Sequence, residues 1–391
     1  MLLSLALIFL CGMLLGGIFS KLKFPSLLGM LLTGILLGPY VLNLLDESIL
    51  SISADLRQIA LIIILTRAGL NLNIEDLKKV GRPAVLMCFV PACFEITGML
   101  CLAPKLLGVS VLEAAVLGTV IAAVSPAVIV PKMLKLMEEG YGTDKSIPQL
   151  IMAGASVDDV FVIVLFASVT GLAANGTFSA LDLVKIPTSI LLGLAGGIVC
   201  GAALAWIFAQ YHLRDSVKVI MILSISFLLV TLEHSITGII GFSGLLAVMG
   251  MGITLQRMRL EAARRLSAKY SKLWVAAELL LFVLVGATVD IPYALNCGIA
   301  AVILIFGVLL FRMAGVLVCM LGTELSRKER LFCMLAYTPK ATVQAAIGSV
   351  PLSMGLSCGN VVLTVAVLAI LITAPLGAFA VDMTYKRWLK K

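Results

Sequence analysis

Asp158 and Asp159 stand side by side near the middle of residues 148–174, a stretch that is otherwise almost wholly apolar. An ionisable side chain at the centre of a membrane helix costs roughly 2.5–3.5 kcal/mol on insertion scales. Two adjacent carboxylates at that depth point to a positively charged partner. Close carboxylates also disfavour ionising together, so such a pair can take up either a proton or a small cation. Consecutive helix positions point about 100° apart. One carboxylate can therefore meet an interior charge while its neighbour meets a cavity.

Other polar groups fall at the same depth. Glu95, Arg312 and Lys340, with the hydroxyls of Ser125, Thr338 and Thr342, all lie within a few residues of the midpoint of an apolar segment. Five formal charges at that level would cost on the order of 15 kcal/mol if unpaired, so they must pair or line water. Glu95 and Arg312 are expected to form a structural ion pair. Lys340 is expected to neutralise backbone carbonyls freed beside it. Those carbonyls arise because two segments carry central prolines: Ser125-Pro126 with Pro131 in one, Thr338-Pro339 followed by Lys340, Ala341 and Thr342 in the other, with Gln344 just beyond. Proline inside a helix removes a hydrogen bond and clashes with the preceding turn. Within lipid the freed groups must be met by the protein, and the hydroxyls of Ser125, Thr338 and Thr342 suit that need. Arg67, near a segment end, is read as snorkelling.

These residues need membrane helices to position them. Of the 391 residues, 61% are hydrophobic and 13% charged, far below the roughly 25% charge of soluble domains. Apolar runs of helix-spanning length predict an all-α polytopic membrane protein with about thirteen spans, near 2–20, 25–42, 56–73, 83–103, 112–134, 148–174, 185–209, 217–233, 236–255, 273–289, 296–321, 331–353 and 360–381. With the N-terminus outside and the C-terminus cytoplasmic, 23 of the 29 Lys and Arg fall in cytoplasmic segments or at cytoplasmic span ends (Lys132 and Lys218), and only Lys105 and Lys185 on the opposite side, as the positive-inside rule requires. The net charge of +8 is the sum of those loops, the densest being residues 257–272; it calls for the lipid bilayer as partner and for no nucleic acid. The first span has no basic residue before it and reads as a retained helix rather than a cleaved signal. The nine cysteines have no CxxC spacing and read as packing residues, while His212 and His234 sit at span ends. No nucleotide-binding loop, cofactor motif or catalytic constellation occurs, so neither an ATP-driven pump nor an intramembrane enzyme is expected. Each proline-broken span follows a span with a central charge, Glu95 or Arg312, and the two pairs run in opposite senses. That is the pattern of an inverted-topology repeat, whose midplane interface holds the substrate site.

Three stretches carry a family resemblance: Val124-Ser125-Pro126-Ala127-Val128-Ile129-Val130-Pro131, Ala155-Ser156-Val157-Asp158-Asp159, and Pro339-Lys340-Ala341-Thr342-Val343-Gln344. Together with Arg67-Ala68-Gly69-Leu70 and Thr373-Ala374-Pro375 they resemble the sodium/proton antiporters of the cation/proton antiporter superfamily, most of all the NHA (sodium/hydrogen exchanger 9B type) branch. The resemblance implies a single transporter unit over residues 1–391 that exchanges Na⁺ or Li⁺ for H⁺, as a homodimer, by an elevator-like movement. It implies a core from parts of 56–174 and 273–381 with two crossed broken helices, and a dimerisation domain from parts of 1–42 and 185–255. It further implies Asp159 as principal cation ligand, Asp158 as its neighbour, and Ser125, Pro126, Thr338, Lys340 and Thr342 at the crossing. Many electrogenic bacterial relatives carry lysine where this sequence has Arg312. Arginine is effectively never deprotonated, which leaves the stoichiometry open. K⁺/H⁺ exchange, Na⁺-coupled solute symport and a passive channel are the alternatives, and a bacterial inner membrane is the expected location.

Overall fold

The computed structural model describes residues 1–71, 81–175, 180–236 and 241–391, without the side chains of 156, 160, 174–175, 180–187, 234 and 294–297. Lys78 and Lys79, and the side chains of Lys185 and His234, which entered the sequence reading, lie outside what is described. Eighteen helices follow in chain order, and no strand occurs among the described residues. They are α1 (Leu2–Lys21), α2 (Ser26–Leu37), α3 (Glu47–Ser51), α4 (Ser53–Asn71), α5 (Arg82–Met87), α6 (Val90–Leu107), α7 (Val111–Ile121), α8 (Pro126–Glu139) and α9 (Ile147–Asn175). There follow α10 (Ala180–Gln210), α11 (Asp215–Ile236), α12 (Gly244–Met258), α13 (Leu260–Ala287), α14 (Ile291–Cys319), α15 (Arg327–Ala336), α16 (Thr342–Ile347), α17 (Val350–Ser353) and α18 (Gly359–Trp388).

Each of the thirteen expected spans has a helical counterpart. Nine helices or consecutive helix pairs, among the described residues, are long and apolar enough to cross a bilayer. The others are α2, α4, α12 and the broken α15–α16–α17 run. The span expected over 25–42 is shorter, because Gly38-Pro39 stops α2 at Leu37. The span expected over 83–103 is interrupted at Cys88 and Phe89, directly before Pro91, so α5 and α6 are separate. The two broken spans behave as their prolines require: α7 and α8 are parted by residues 122–125, α15 and α16 by residues 337–341.

Both broken spans start in the same way. Ser110 caps α7 by accepting from the Glu113 N–H, while Glu113 Oε2 accepts from the Ser110 N–H at 2.8 Å. Ser326 and Glu329 repeat this box at the start of α15, with 2.7 Å for the reciprocal bond. Such boxes satisfy two otherwise orphaned donors at a helix start. Glu329 also accepts from Lys145 at 2.9 Å, and that hydrogen bond lifts the loop ammonium above its ordinary pKa.

The chain forms two compact units. The first comprises Met1–Ala54, Glu75–Val169 and Leu279–Lys391. It contains both broken spans, and it groups the first helices with them rather than with residues 185–255. In it α6 packs along α14, and α18 lies against α8, α14, α15 and α16. A buried cluster including Met87, Val124, Ile129, Ile151, Ala155, Phe332, Tyr337 and Val381 fills the space around the breaks. The second unit comprises Asp55–Ile74 and Thr170–Glu278, with α10 running along α12.

Close helix contact in the first unit depends on two glycines. A Cβ on Gly34 of α2 would lie 1.9 Å from the Val283 carbonyl oxygen, and one on Gly286 of α13 would lie 2.1 Å from the Leu31 carbonyl oxygen. Backbone cannot yield as a side-chain tip does. Gly34→Ala is therefore expected to lower stability by about 1–3 kcal/mol, read as a lower melting midpoint in detergent. Gly17→Ala in α1, with nothing within 4 Å of its Cβ, is expected to leave the midpoint unchanged or slightly higher. Equal effects of the two substitutions would refute this packing.

Candidate functional site

The site is assembled where α6, α9 and α14 meet the two breaks. Arg312 of α14 is fully buried and donates in four directions. Its Nη1 reaches Glu95 Oε2 at 2.7 Å and also the Ala122 carbonyl; Nη2 reaches Asp158 Oδ2 at 2.8 Å; Nε reaches the Tyr337 carbonyl at 2.7 Å. The guanidinium carbon lies 4.9 Å from the Tyr337 ring centroid. One cation thus ties together both acids and both helix breaks. The expected Glu95–Arg312 pair is present, and it extends further than expected.

Lys340 corrects the sequence reading. Its Nζ donates to Glu95 Oε2 at 2.6 Å rather than to break carbonyls, and its backbone N–H donates to Thr373 Oγ1 at 2.9 Å. The reason is charge: a buried ammonium gains more from a carboxylate than from a carbonyl. The freed carbonyls have other partners. Gln344 Nε2 donates to the carbonyls of Ile121 at 3.1 Å and Ala123 at 2.9 Å, and Gln344 Oε1 accepts from the Ala341 N–H at 2.8 Å. Pro339 O accepts from the Ser125 N–H at 2.8 Å, directly joining the two breaks. The carbonyls of Ile121, Ala122, Ala123, Tyr337 and Pro339 are already engaged.

The hydroxyls divide by role. Thr338 Oγ1 donates to the Leu335 carbonyl at 2.8 Å, the backbone-satisfying task expected of it. Ser125 and Thr342 instead face each other across the crossing, Oγ to Oγ1 at 3.5 Å, both buried. Pro126 opens α8 as its first residue, where a missing N–H costs nothing. Gly377 of α18 makes room for the second break, since a Cβ there would stand 2.3 Å from Pro339 Cγ.

The adjacent aspartates of α9 have different surroundings. Asp158 is 0% exposed, with Oδ2 held by Arg312 and by the Val124 N–H at 2.9 Å, while its Oδ1 has no hydrogen-bond partner. Asp159 is half-buried, and its Oδ1 is buried without a partner. Glu95 Oε1 is a third carboxylate oxygen in that state. The local balance is three acids (Glu95, Asp158, Asp159) against two bases (Arg312, Lys340), leaving one negative charge unmatched. Arg67 lies in the second unit, half-buried, and takes no part in this network. No cluster of three or more metal-type ligands occurs among the described residues.

A buried cluster with one surplus carboxylate, at the crossing of two broken helices, can hold one monovalent cation or one proton. The transmembrane sodium/hydrogen exchanger family matches this chain over residues 5–386. The chain belongs to that family. It is 35% identical to human sodium/hydrogen exchanger 9B2 over 423 aligned residues, covering 99% of this chain and 75% of the relative. Against human sodium/hydrogen exchanger 9B1 it is 29% identical, covering 94% of this chain and 73% of that protein. Its fold matches the sodium proton antiporter MjNhaP1 from Methanocaldococcus jannaschii at pH 8, with a TM-score of 0.86, 23% identity, and coverage of 99% of this chain and 98% of that one. This exchanger is therefore an integral membrane transporter with the antiporter fold.

Sequence reasoning missed Gln344 as a bridging side chain, Thr373 as acceptor for Lys340, and Tyr337, whose Oη donates to the Met87 carbonyl at 3.0 Å. The signal for Gln344 was its position two residues past Thr342, and that for Thr373 its place in the Thr373-Ala374-Pro375 stretch; Tyr337 had none beyond its place in an apolar segment.

Because Glu95 serves two cations, Glu95→Gln strands Lys340 while Arg312 keeps Asp158. That loss is expected to cost about 3–5 kcal/mol, and adding Lys340→Met should recover part of it. Melting curves in detergent that show simple additivity of the two changes would count against this shared carboxylate.

Proposed function

We propose that this exchanger moves Na⁺ or Li⁺ against H⁺ by alternating access, with Asp159 as the principal ligand and Asp158 Oδ1 beside it. The observation that carries the reading is the surplus charge: every other ionised group of the buried cluster has a partner of opposite sign, and Asp159 has none. A proton on Asp159 and a cation bound to it restore the same neutral balance, so only one load is held at a time. The Ser125 and Thr342 hydroxyls offer neutral oxygens at the crossing that can replace part of the ion's water. Arg312 stays charged throughout and carries no proton, which supports one cation exchanged per proton with no net charge moved. The N-terminus outside, the homodimer and the elevator-like movement complete the proposal, on the strength of the basic-residue distribution and the family resemblance.

Proteoliposomes holding a pH-sensitive dye test this. Addition of Na⁺ or Li⁺ should alkalinise or acidify the lumen according to the gradient in the wild type, and not in Asp159→Asn. Asp158→Asn should lower both exchange and thermal stability, since it also releases Arg312. The KM for Na⁺ should rise as pH falls, because protons compete for the same carboxylate, and clamping the membrane potential should leave the rate unchanged. A response to K⁺ alone would favour K⁺/H⁺ exchange; currents without proton flux would favour a channel. Undiminished exchange in Asp159→Asn would falsify the site assignment.

A further inference from the structure

We propose that Gln344 is a positioning residue for the cation site, setting the aim of Asp158 through the backbone of the first break. The inference rests on the reading of the aspartate pair as that site. Gln344 is 1% exposed, and its amide is used in full across both breaks: two N–H donors on the Ile121 and Ala123 carbonyls, one oxygen on the Ala341 N–H. No charged side chain offers that set of two donors and one acceptor on a planar group.

The consequence runs along five consecutive residues, Ile121 to Ser125. Gln344 fixes the carbonyls on either side of Ala122, whose own carbonyl goes to Arg312. The next residue, Val124, donates its N–H to Asp158 Oδ2 at 2.9 Å, and the one after it, Ser125, donates to Pro339 O at 2.8 Å. The Val124 N–H and Arg312 hold the same oxygen, so together they decide which way the unpartnered Oδ1 points. Thr342, two residues before Gln344, brings its hydroxyl to Ser125 on the same backbone. Release of the Gln344 clasp therefore disturbs Asp158 and the paired hydroxyls together, while the ion pairs of Glu95 keep their partners. Arg312 supplies charge; Gln344 supplies register.

The full chain in proteoliposomes tests this with Gln344→Met, which removes all three hydrogen bonds at similar volume, and Gln344→Glu, which keeps the acceptor for Ala341 and loses both donors. Tyr270→Phe in the second unit, which loses only a 3.3 Å bond to the Val219 carbonyl, controls for stability. The KM for Na⁺ should rise about tenfold in both Gln344 variants, the factor expected when one or two buried hydrogen bonds stop orienting a ligand. The maximal rate should stay within about threefold, because the misaimed ligand is still present. The rise in melting midpoint on adding Na⁺ should shrink in the same variants and not in Tyr270→Phe. An unmoved KM with a lowered midpoint, or failure of both variants to fold, would overturn the proposal and leave Gln344 a structural residue. Lost exchange in Asp159→Asn beside an unmoved KM in the Gln344 variants removes this inference alone. Retained exchange in Asp159→Asn removes the underlying reading and this inference with it.

Discussion

A single guanidinium sets the terms for the centre of this protein. Arg312 must be paired because it is wholly buried, and its planar fork of donors lets it reach two carboxylates and two backbone carbonyls at once. A lysine has the charge but not the fixed fan of donors. The helices around it are thereby held to one geometry: α6 through Glu95, α9 through Asp158, and both breaks through Ala122 and Tyr337. Burying so much charge gains little stability over a well-packed apolar core. What it supplies is definition, because another arrangement would leave the guanidinium, or one of the groups it binds, short of a partner in low dielectric.

That definition explains why two neighbouring residues of one type take separate parts. Helical rotation turns Asp158 toward Arg312 and the Val124 N–H, and the same rotation leaves Asp159 without an ion pair to either cation. Glu95 absorbs the second base by sharing one oxygen between Arg312 and Lys340. The remaining charge is therefore left on one identifiable carboxylate. Chemistry at the midplane follows from a count of signs more than from any unusual side chain.

Depth was legible in the sequence; direction around each helix was not. The aspartates, Glu95, Arg312 and Lys340 were conspicuous because charge in an apolar run is costly, and opposite signs at one level made the Glu95–Arg312 pair predictable. Lys340 was placed at the right break but given the wrong partner, since nothing in a linear sequence tells which helix face looks toward Glu95. Gln344 was overlooked because a neutral amide carries no comparable cost signal, although its two donors satisfy more of the first break than any hydroxyl does. The prolines located both breaks correctly, yet Pro91 and Gly38-Pro39 were passed over as punctuation, which is why α5 and α6 merged and α2 ran long. The capping boxes at Ser110-x-x-Glu113 and Ser326-x-x-Glu329 were readable as helix starts. They are also the clearest likeness between the two broken spans, whose residues otherwise share little.

Those matching boxes have a mechanical corollary. A helix frays from its ends unless its terminal donors are bound, and here the distal end of each broken span is fastened by reciprocal side-chain bonds. The half-helices then behave as stiff rods whose outer tips are clamped, and compliance in each span is concentrated at the non-helical links, residues 122–125 and 337–341. Any flexing of either rod is delivered to the few peptide units that surround Asp158, Ser125 and Thr342.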